Sequence, residues 1–209
     1  GLIVREGYPF CIAPAAATIL LLLVGWYVPA MLMTLASLFC VYFFRNPARL
    51  IPQEASAVVA PADGKVLEVA PCVEERILAA PTQKVSIFMN LFDVHVNRFP
   101  VAGIVQRIVY RPGRFISANR DKASLENEQN ALLLETAGGR KILMIQIAGI
   151  IARRISCWAE EGDRVTTGQR AGLIRFGSRV DLFLPPECRL VVQPGQKVRS
   201  GETIVGYMP

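Results

Sequence analysis

The chain has 209 residues, of which 52% are hydrophobic and only 19% charged, with a net charge of +6 and a mean hydropathy of +0.36. About a quarter of a soluble domain's residues would carry charge, so this composition excludes a disordered chain, a coiled coil, a collagen and a purely soluble globule. The basic balance suits an anionic membrane surface or a nucleic acid.

The apolar excess sits at the front. No charged residue occurs from Gly7 to Phe44. As one helix this run would extend about 57 Å at ~1.5 Å per residue, far more than the ~30 Å hydrocarbon core of a bilayer. Gly25-Trp26-Tyr27-Val28-Pro29 interrupts it with two breakers and two interfacial aromatics. The expectation is a membrane-embedded helical hairpin within residues 1–44, with helices near 8–25 and 28–44. Arg5 precedes the pair, and Arg45 and Arg49 follow it. Basic flanks at both ends place both, and the domain beyond, on the cytoplasmic face of the cell (inner) membrane. A cleaved signal peptide would be followed by polar sequence, whereas here a second apolar run follows.

From residue 45 onward short Val- and Ile-rich runs alternate with Gly, Pro and Asp. Strands are expected at Gly64–Val69, Lys84–Asn90, Gly103–Arg111, Ala131–Glu135, Lys141–Ala148, Arg154–Trp158, Val180–Leu184, Arg189–Gln193 and Glu202–Gly206, a mainly β domain. Ser117–Asn130 reads as a loop. Gly162-Asp-Arg-Val165-Thr-Thr-Gly168 and Gly195-Gln-Lys-Val198-Arg-Ser-Gly201 share a GxxVxxG pattern, each followed by an apolar strand. Two related turn units fit a biotinyl- or lipoyl-like barrel-sandwich with pseudo-two-fold symmetry. A carrier of that fold needs a lysine between its repeats, and no lysine lies between Gly168 and Gly195.

Few residues can do chemistry. The five cysteines, Cys11, Cys40, Cys72, Cys157 and Cys188, form no CxxC pair, and His95 is the one histidine. A metal site is therefore not expected. Strand alternation would put Asp93, His95 and Asn97 on one face, where burial without partners costs too much. Asp63-Gly64 has the composition of a turn. Gly177-Ser178 also reads first as a turn, yet a serine hydroxyl after glycine can attack the preceding carbonyl when the backbone is bent and a base takes its proton. The ester so formed can eliminate and hydrolyse to a pyruvoyl group. Scattered charges and two tryptophans argue against a nucleic-acid binder.

The ordered segments FFRNP (43–47), PADGKV (61–66), FMNLFDVHVNRFP (88–100), RPGRF (111–115), KASLENEQN (122–130), IAGIIARRI (147–155) and IRFGSRVDLFLP (174–185) resemble the short, bacterial and archaeal type of phosphatidylserine decarboxylase proenzyme. The resemblance implies self-cleavage between Gly177 and Ser178, giving a β chain 1–177 that keeps the anchor and an α chain 178–209 that stays associated with it. Ser178 would become a covalent pyruvoyl cofactor, with no metal, and would form a Schiff base with phosphatidylserine. Loss of CO₂ would then leave phosphatidylethanolamine. By the same resemblance Asp63 matches the Asp of a P-x-D-G motif that assists self-cleavage. His95 matches the first His of a D-x-H-x-x-H stretch, the one linked to decarboxylation. The second falls on Arg98, so the usual base for the serine is missing. One expectation is that His95, oriented by Asp63 or Asp93, serves both steps, with Asn97 and Arg98 in support. Arg45, Arg49, Arg153 and Arg154 are candidates for headgroup or surface contact. A homodimer is compatible with the resemblance. The competing readings are a membrane-anchored biotinyl-like scaffold and an uncleaved pseudoenzyme.

Overall fold

An apolar segment without charge satisfies its backbone internally as helix, and the N-terminal unit of the computed structural model, Gly1–Ala48, does so. The structure describes residues 1–113, 127–149, 154–175 and 178–209. A single 3₁₀ turn, Arg5–Gly7, leads into α1 (Tyr8–Leu23), and α2 spans Tyr27–Phe43. Arg5–Leu23, 19 residues, is long and apolar enough to cross a membrane, and Tyr27–Phe43 is shorter. Gly25, at φ +80°, makes the turn. Pro29 falls inside the second helix, as the expected span 28–44 has it. It lies in the first turn of α2, where its missing N–H leaves no bond unmade. The Ser37 hydroxyl donates to the Cys11 carbonyl across the hairpin at 2.9 Å. Ile3 and Arg45 form an antiparallel bridge, so the chain enters and leaves the hairpin at the same end.

The second unit, Arg49–Pro209, is mainly β. In chain order its strands are β1 (Ala57–Val59), β2 (Gly64–Glu74), β3 (Ala80–Met89), β4 (Val96–Arg98), β5 (Gly103–Arg111), β6 (Gln129–Glu135), β7 (Lys141–Ala148), β8 (Ile155–Cys157), β9 (Arg164–Val165), β10 (Arg170–Ile174), β11 (Ser178–Leu184), β12 (Arg189–Leu190), β13 (Lys197–Val198) and β14 (Ile204–Tyr207). Among the described residues they form a curled eight-stranded sheet, β13-β2-β3-β11-β7-β6-β5-β9, and two three-stranded sheets, β4-β10-β8 and β1-β14-β12. The strands expected at 103–111 and 141–148 have those bounds. Those expected at 64 and 84 are ends of a longer hairpin, β2–β3. The short strands β1, β4, β9, β10 and β13 carried too few residues to show a period. Most of the loop expected at Ser117–Asn130 lies outside the described residues, and its last two residues open β6.

The GxxVxxG echo is a repeat of conformation as well as letters. Gly162 and Gly195 both have φ +91°, and Gly168 and Gly201 have +75° and +77°. The Gly162 N–H donates to Val105 O and the Gly195 N–H to Val66 O, both at 2.8 Å. The Gly168 and Gly201 amides donate to Phe99 O and Ala60 O, again at 2.8 Å. The acceptors belong to a second echo that the sequence reading missed, Pro61-Ala-Asp-Gly64-Lys-Val66 and Pro100-Val-Ala-Gly103-Ile-Val105.

The core lies on one face of the large sheet, with Val85, Ile87, Leu132, Leu134, Met144, Val180, Leu182 and Leu184 buried together. β11 is buried along its whole length. It sits between β3 and β7 and is paired to both from its first residue. Gly64, where β2 starts, has φ +147°, and a Cβ there would come 2.1 Å from the Phe88 carbonyl oxygen. Gly64→Ala is expected to cost about 1–3 kcal/mol or more, measured as a lowered unfolding midpoint of the full chain.

Candidate active site

The candidate site is built where a strand of each sheet carries a buried polar residue. Ser178 is the first residue of β11, flanked by Met89 on β3 and Ala148 on β7. It is fully buried, and its hydroxyl has no hydrogen-bond partner among the described residues. Leaving such a group unpaired costs about 1–3 kcal/mol, so this hydroxyl, like that of Ser86, calls for a chemical explanation. Gly177, the other half of the expected cleavage pair, lies outside the described residues, as does Arg153.

His95 is also fully buried. It does not share a strand face with Asp93, as alternation suggested. β4 begins only at Val96, and Asp93 belongs to a tight turn in which its carboxylate accepts the Asn90 N–H at 2.8 Å. The backbone carbonyl of Asp93 lies 3.0 Å from His95 Nδ1. A carbonyl can only accept, so that contact puts the proton on Nδ1 and makes Nε2 the basic nitrogen. The His95 carbonyl accepts the Ile174 N–H at 3.4 Å, and Val96 faces Leu173 in the β4–β10 register. The histidine thus borders the strand whose continuation reaches Ser178.

Asn97 and Arg98, successive on β4, point to opposite sides. Asn97 Oδ1 accepts from Gln146 Nε2 at 2.8 Å, and Gln146 Oε1 accepts from Asn130 Nδ2 at 3.0 Å. These amides are buried. Arg98 donates to the Gly168 carbonyl at 2.8 Å. Burial, then the charges of Arg49 and Arg170, pull its guanidinium below the usual arginine value, and Asp63 and Glu202 oppose them.

Asp63 is held elsewhere than the sequence reading placed it. Its carboxylate accepts from Arg49 Nη2 at 2.9 and 2.8 Å and from the Ser200 backbone N–H at 2.8 Å. Arg49 in turn is not a surface residue. Its side chain is 7% exposed, and Glu202 lies 3.7 Å from its other terminal nitrogen. This ion pair ties the chain after the hairpin to the segment that follows Ser178. Removing one partner of this partly buried pair leaves the other charge unmatched, so Arg49→Met is expected to cost about 1–3 kcal/mol, read as a lower unfolding midpoint. Arg45 stacks on the Tyr42 ring at 3.8 Å, and Arg154 is exposed.

Gln146, Asn130 and the Arg179–Asp181 pair were not singled out from sequence. The signal for Gln146 was present, as one polar residue within the apolar run Lys141–Ala148. Arg179 and Asp181 form a bidentate fork (2.6 and 2.8 Å) on the face of β11 opposite Ser178. A cavity of about 230 Å³ opens on that opposite face, against Asp181, Phe183 and Arg111, away from the serine.

The model of the phosphatidylserine decarboxylase family matches residues 36–206. The phosphatidylserine decarboxylase proenzyme of Syntrophus aciditrophicus is 50% identical over 207 residues, covering 98% of this chain and 96% of that protein. That of Syntrophotalea carbinolica is 49% identical over 97% and 95%, and that of Beijerinckia indica 51% identical over 96% and 87%. The chain belongs to the phosphatidylserine decarboxylase family.

Proposed function

We propose that the protein is made as a precursor that cuts itself between Gly177 and Ser178 and then decarboxylates phosphatidylserine to phosphatidylethanolamine and CO₂. The observation that carries this reading is the buried Ser178 hydroxyl at the head of β11, without a hydrogen-bond partner among the described residues, in a chain of this family. In the first step Ser178 Oγ attacks the carbonyl of residue 177, His95 takes its proton at Nε2, and the peptide becomes an ester. Loss of the Ser178 α-proton expels the Gly177 carboxylate. One water then releases ammonia and leaves a pyruvoyl group on Arg179. When formed, that group supplies a carbonyl which withdraws the electrons freed as CO₂ departs.

The residues present fit that group. Ladder bonds to β3 and β7 fix the main chain of residue 178 on both sides, and its full burial excludes bulk water. His95, oriented by the Asp93 carbonyl, hands a proton to the substrate carbon after CO₂ leaves in this reading. Asp63 serves through the Arg49–Ser200 clasp, which joins residues 1–177 to residues 178–209. Asp93 shapes the turn before His95, Asn97 supports the serine from β4, and Arg98 remains a cation that cannot replace a second base. This reading assigns Arg45, Arg153 and Arg154 to the anionic headgroup and surface, and no metal takes part.

Residues 1–44 act as the anchor at the cytoplasmic face of the inner membrane, where the lipid substrate is met, and 45–209 as the catalytic domain. The pairing of Ile3 with Arg45 supports both ends lying on one side. The matched glycine turns support a biotinyl- or lipoyl-like sandwich, and a homodimer is part of the same reading. An intact mass of the purified protein tests it. Two fragments divided at 177/178, the small one lighter by one ammonia than a serine-started peptide, are expected. A single chain persisting in lipid and detergent would overturn it.

A further inference from the structure

Buried polar groups are ordinarily paired, and two that are not fully paired lie on either side of Met89. One is the Ser178 hydroxyl, directly across the ladder from Met89. The other is the Asn97 amide nitrogen, whose partner among the described residues is the Met89 thioether at 3.5 Å, a weak acceptor. Asn97 is fully buried and so is Met89. A carboxamide in that position would ordinarily turn to find something better.

Its orientation is coupled to a chain of two further amides. Asn130 Nδ2 donates to Gln146 Oε1, and Gln146 Nε2 donates to Asn97 Oδ1. Each amide offers one oxygen and one nitrogen. Once Gln146 spends its oxygen on Asn130, its nitrogen must face Asn97, and Asn97 must answer with its oxygen. The Asn97 NH₂ is then directed to the other side, at Met89 and the head of β11. Gln146 and Ala148 lie across the ladder from Val180 and Ser178, so the chain runs on the same face of the sheet as the serine. It also bridges two sheets, from β6 and β7 to β4. Gly172 on β10 is required first by the Ser156 carbonyl of the neighbouring strand, and a Cβ there would also lie 3.1 Å from Gln146 Nε2.

We propose that the Asn130–Gln146–Asn97 chain is part of the maturation machinery, presenting the Asn97 NH₂ as a donor to the Ser178 oxygen while Nε2 of His95 removes its proton. Gln146 and Asn130 are positioning residues that act through Asn97. This rests on Ser178 being the self-cleaving nucleophile. A donor at the oxygen stabilises the alkoxide character that develops as the proton leaves.

The directionality makes the test sharp. Asn130→Asp changes one atom at the far end of the relay. An ionised carboxylate only accepts, so Gln146 must turn its nitrogen to residue 130 and its oxygen to Asn97. Asn97 must then turn its NH₂ away from Ser178. Gln146→Glu forces the same reversal from the middle. Freshly made full-length protein in lipid vesicles would be followed for conversion of the intact chain to its two fragments. Both variants are expected to slow it by roughly tenfold to a hundredfold, the worth of one hydrogen bond at a reacting atom. For Asn130→Asp the deficit relative to unsubstituted protein at the same pH should shrink as pH falls, since a protonated carboxyl can donate to Gln146 again. A purely structural role would not give that recovery. Unfolding midpoints identify a variant that fails to fold, and Asn97→Asp, which removes the donor itself, then serves in its place. Cleavage at the unsubstituted rate in folded Asn130→Asp and Asn97→Asp, with Ser178→Ala uncut, would overturn the relay and leave the nucleophile standing. Cleavage of Ser178→Ala would overturn the nucleophile and the relay with it.

Discussion

Ser178→Ala is expected to leave a single chain of about the full 23.0 kDa mass, with no pyruvoyl group and no decarboxylation. The substitution removes one buried oxygen that makes no hydrogen bond among the described residues, so the fold has nothing to lose by it. Taking away an unsatisfied buried hydroxyl is neutral or mildly stabilising, by up to about 1–3 kcal/mol. The expected pair of results is therefore unusual: chemistry abolished and the unfolding midpoint equal to or above that of an uncut reference. A structural serine would give the reverse, with cleavage retained and stability lowered. Ser178→Cys keeps a nucleophile in the same place and should cut, since a thiol can form the corresponding thioester. The measurement is an intact mass taken over time after synthesis, with thermal unfolding alongside.

Much of this architecture was legible because its physics is local. The hairpin follows from a charge-free run with a Gly-Pro interruption, and the long strands β5 and β7 follow from Val- and Ile-rich runs bounded by turn residues. The glycine turns were visible because positive φ restricts what can stand at Gly162, Gly168, Gly195 and Gly201. Their structural partners at Val66 and Val105 were not, because a backbone acceptor carries no side-chain requirement. The site was legible in its residues and not in their arrangement. His95 and Ser178 were named from motifs, but the Asp93 carbonyl that aims the imidazole is main chain. Asp93, the carboxylate nearest His95 in sequence, meets the ring through its backbone carbonyl. Asp63 shows the same limit from the other side. Its partner Arg49 stands fourteen positions earlier and Ser200 far later, a pairing made by the fold alone. Arg49, read as a membrane-facing cation from its place after the hairpin, is buried because Asp63 and Glu202 hold it.

The relation between those two sites bears on how one histidine can serve two reactions. The Asp93 carbonyl fixes the ring and the tautomer at Nδ1. It leaves Nε2 able to accept a proton from Ser178 in the precursor, and to return one to carbon in the mature enzyme.

His95→Gln follows from this as the second large effect. Glutamine can keep a donor near the Asp93 carbonyl, so the turn from Asn90 and the pairing of Val96 with Leu173 should survive, and the unfolding midpoint should change little. It cannot accept a proton at neutral pH. General-base assistance is worth about 10²–10⁴ in rate, and self-cleavage should fall by that factor. Any mature fraction that accumulates should be slowed in decarboxylation by a comparable factor per pyruvoyl group, counted by mass. The two losses distinguish a shared residue from a divided one. Normal maturation with lost decarboxylation would mean that another group takes the Ser178 proton, and the single-histidine mechanism would be wrong. Lost maturation with full turnover in the residual mature fraction would confine His95 to the first step. Only when both rates fall does the one imidazole of the chain, held at Nδ1 by main chain, carry the proton in each direction.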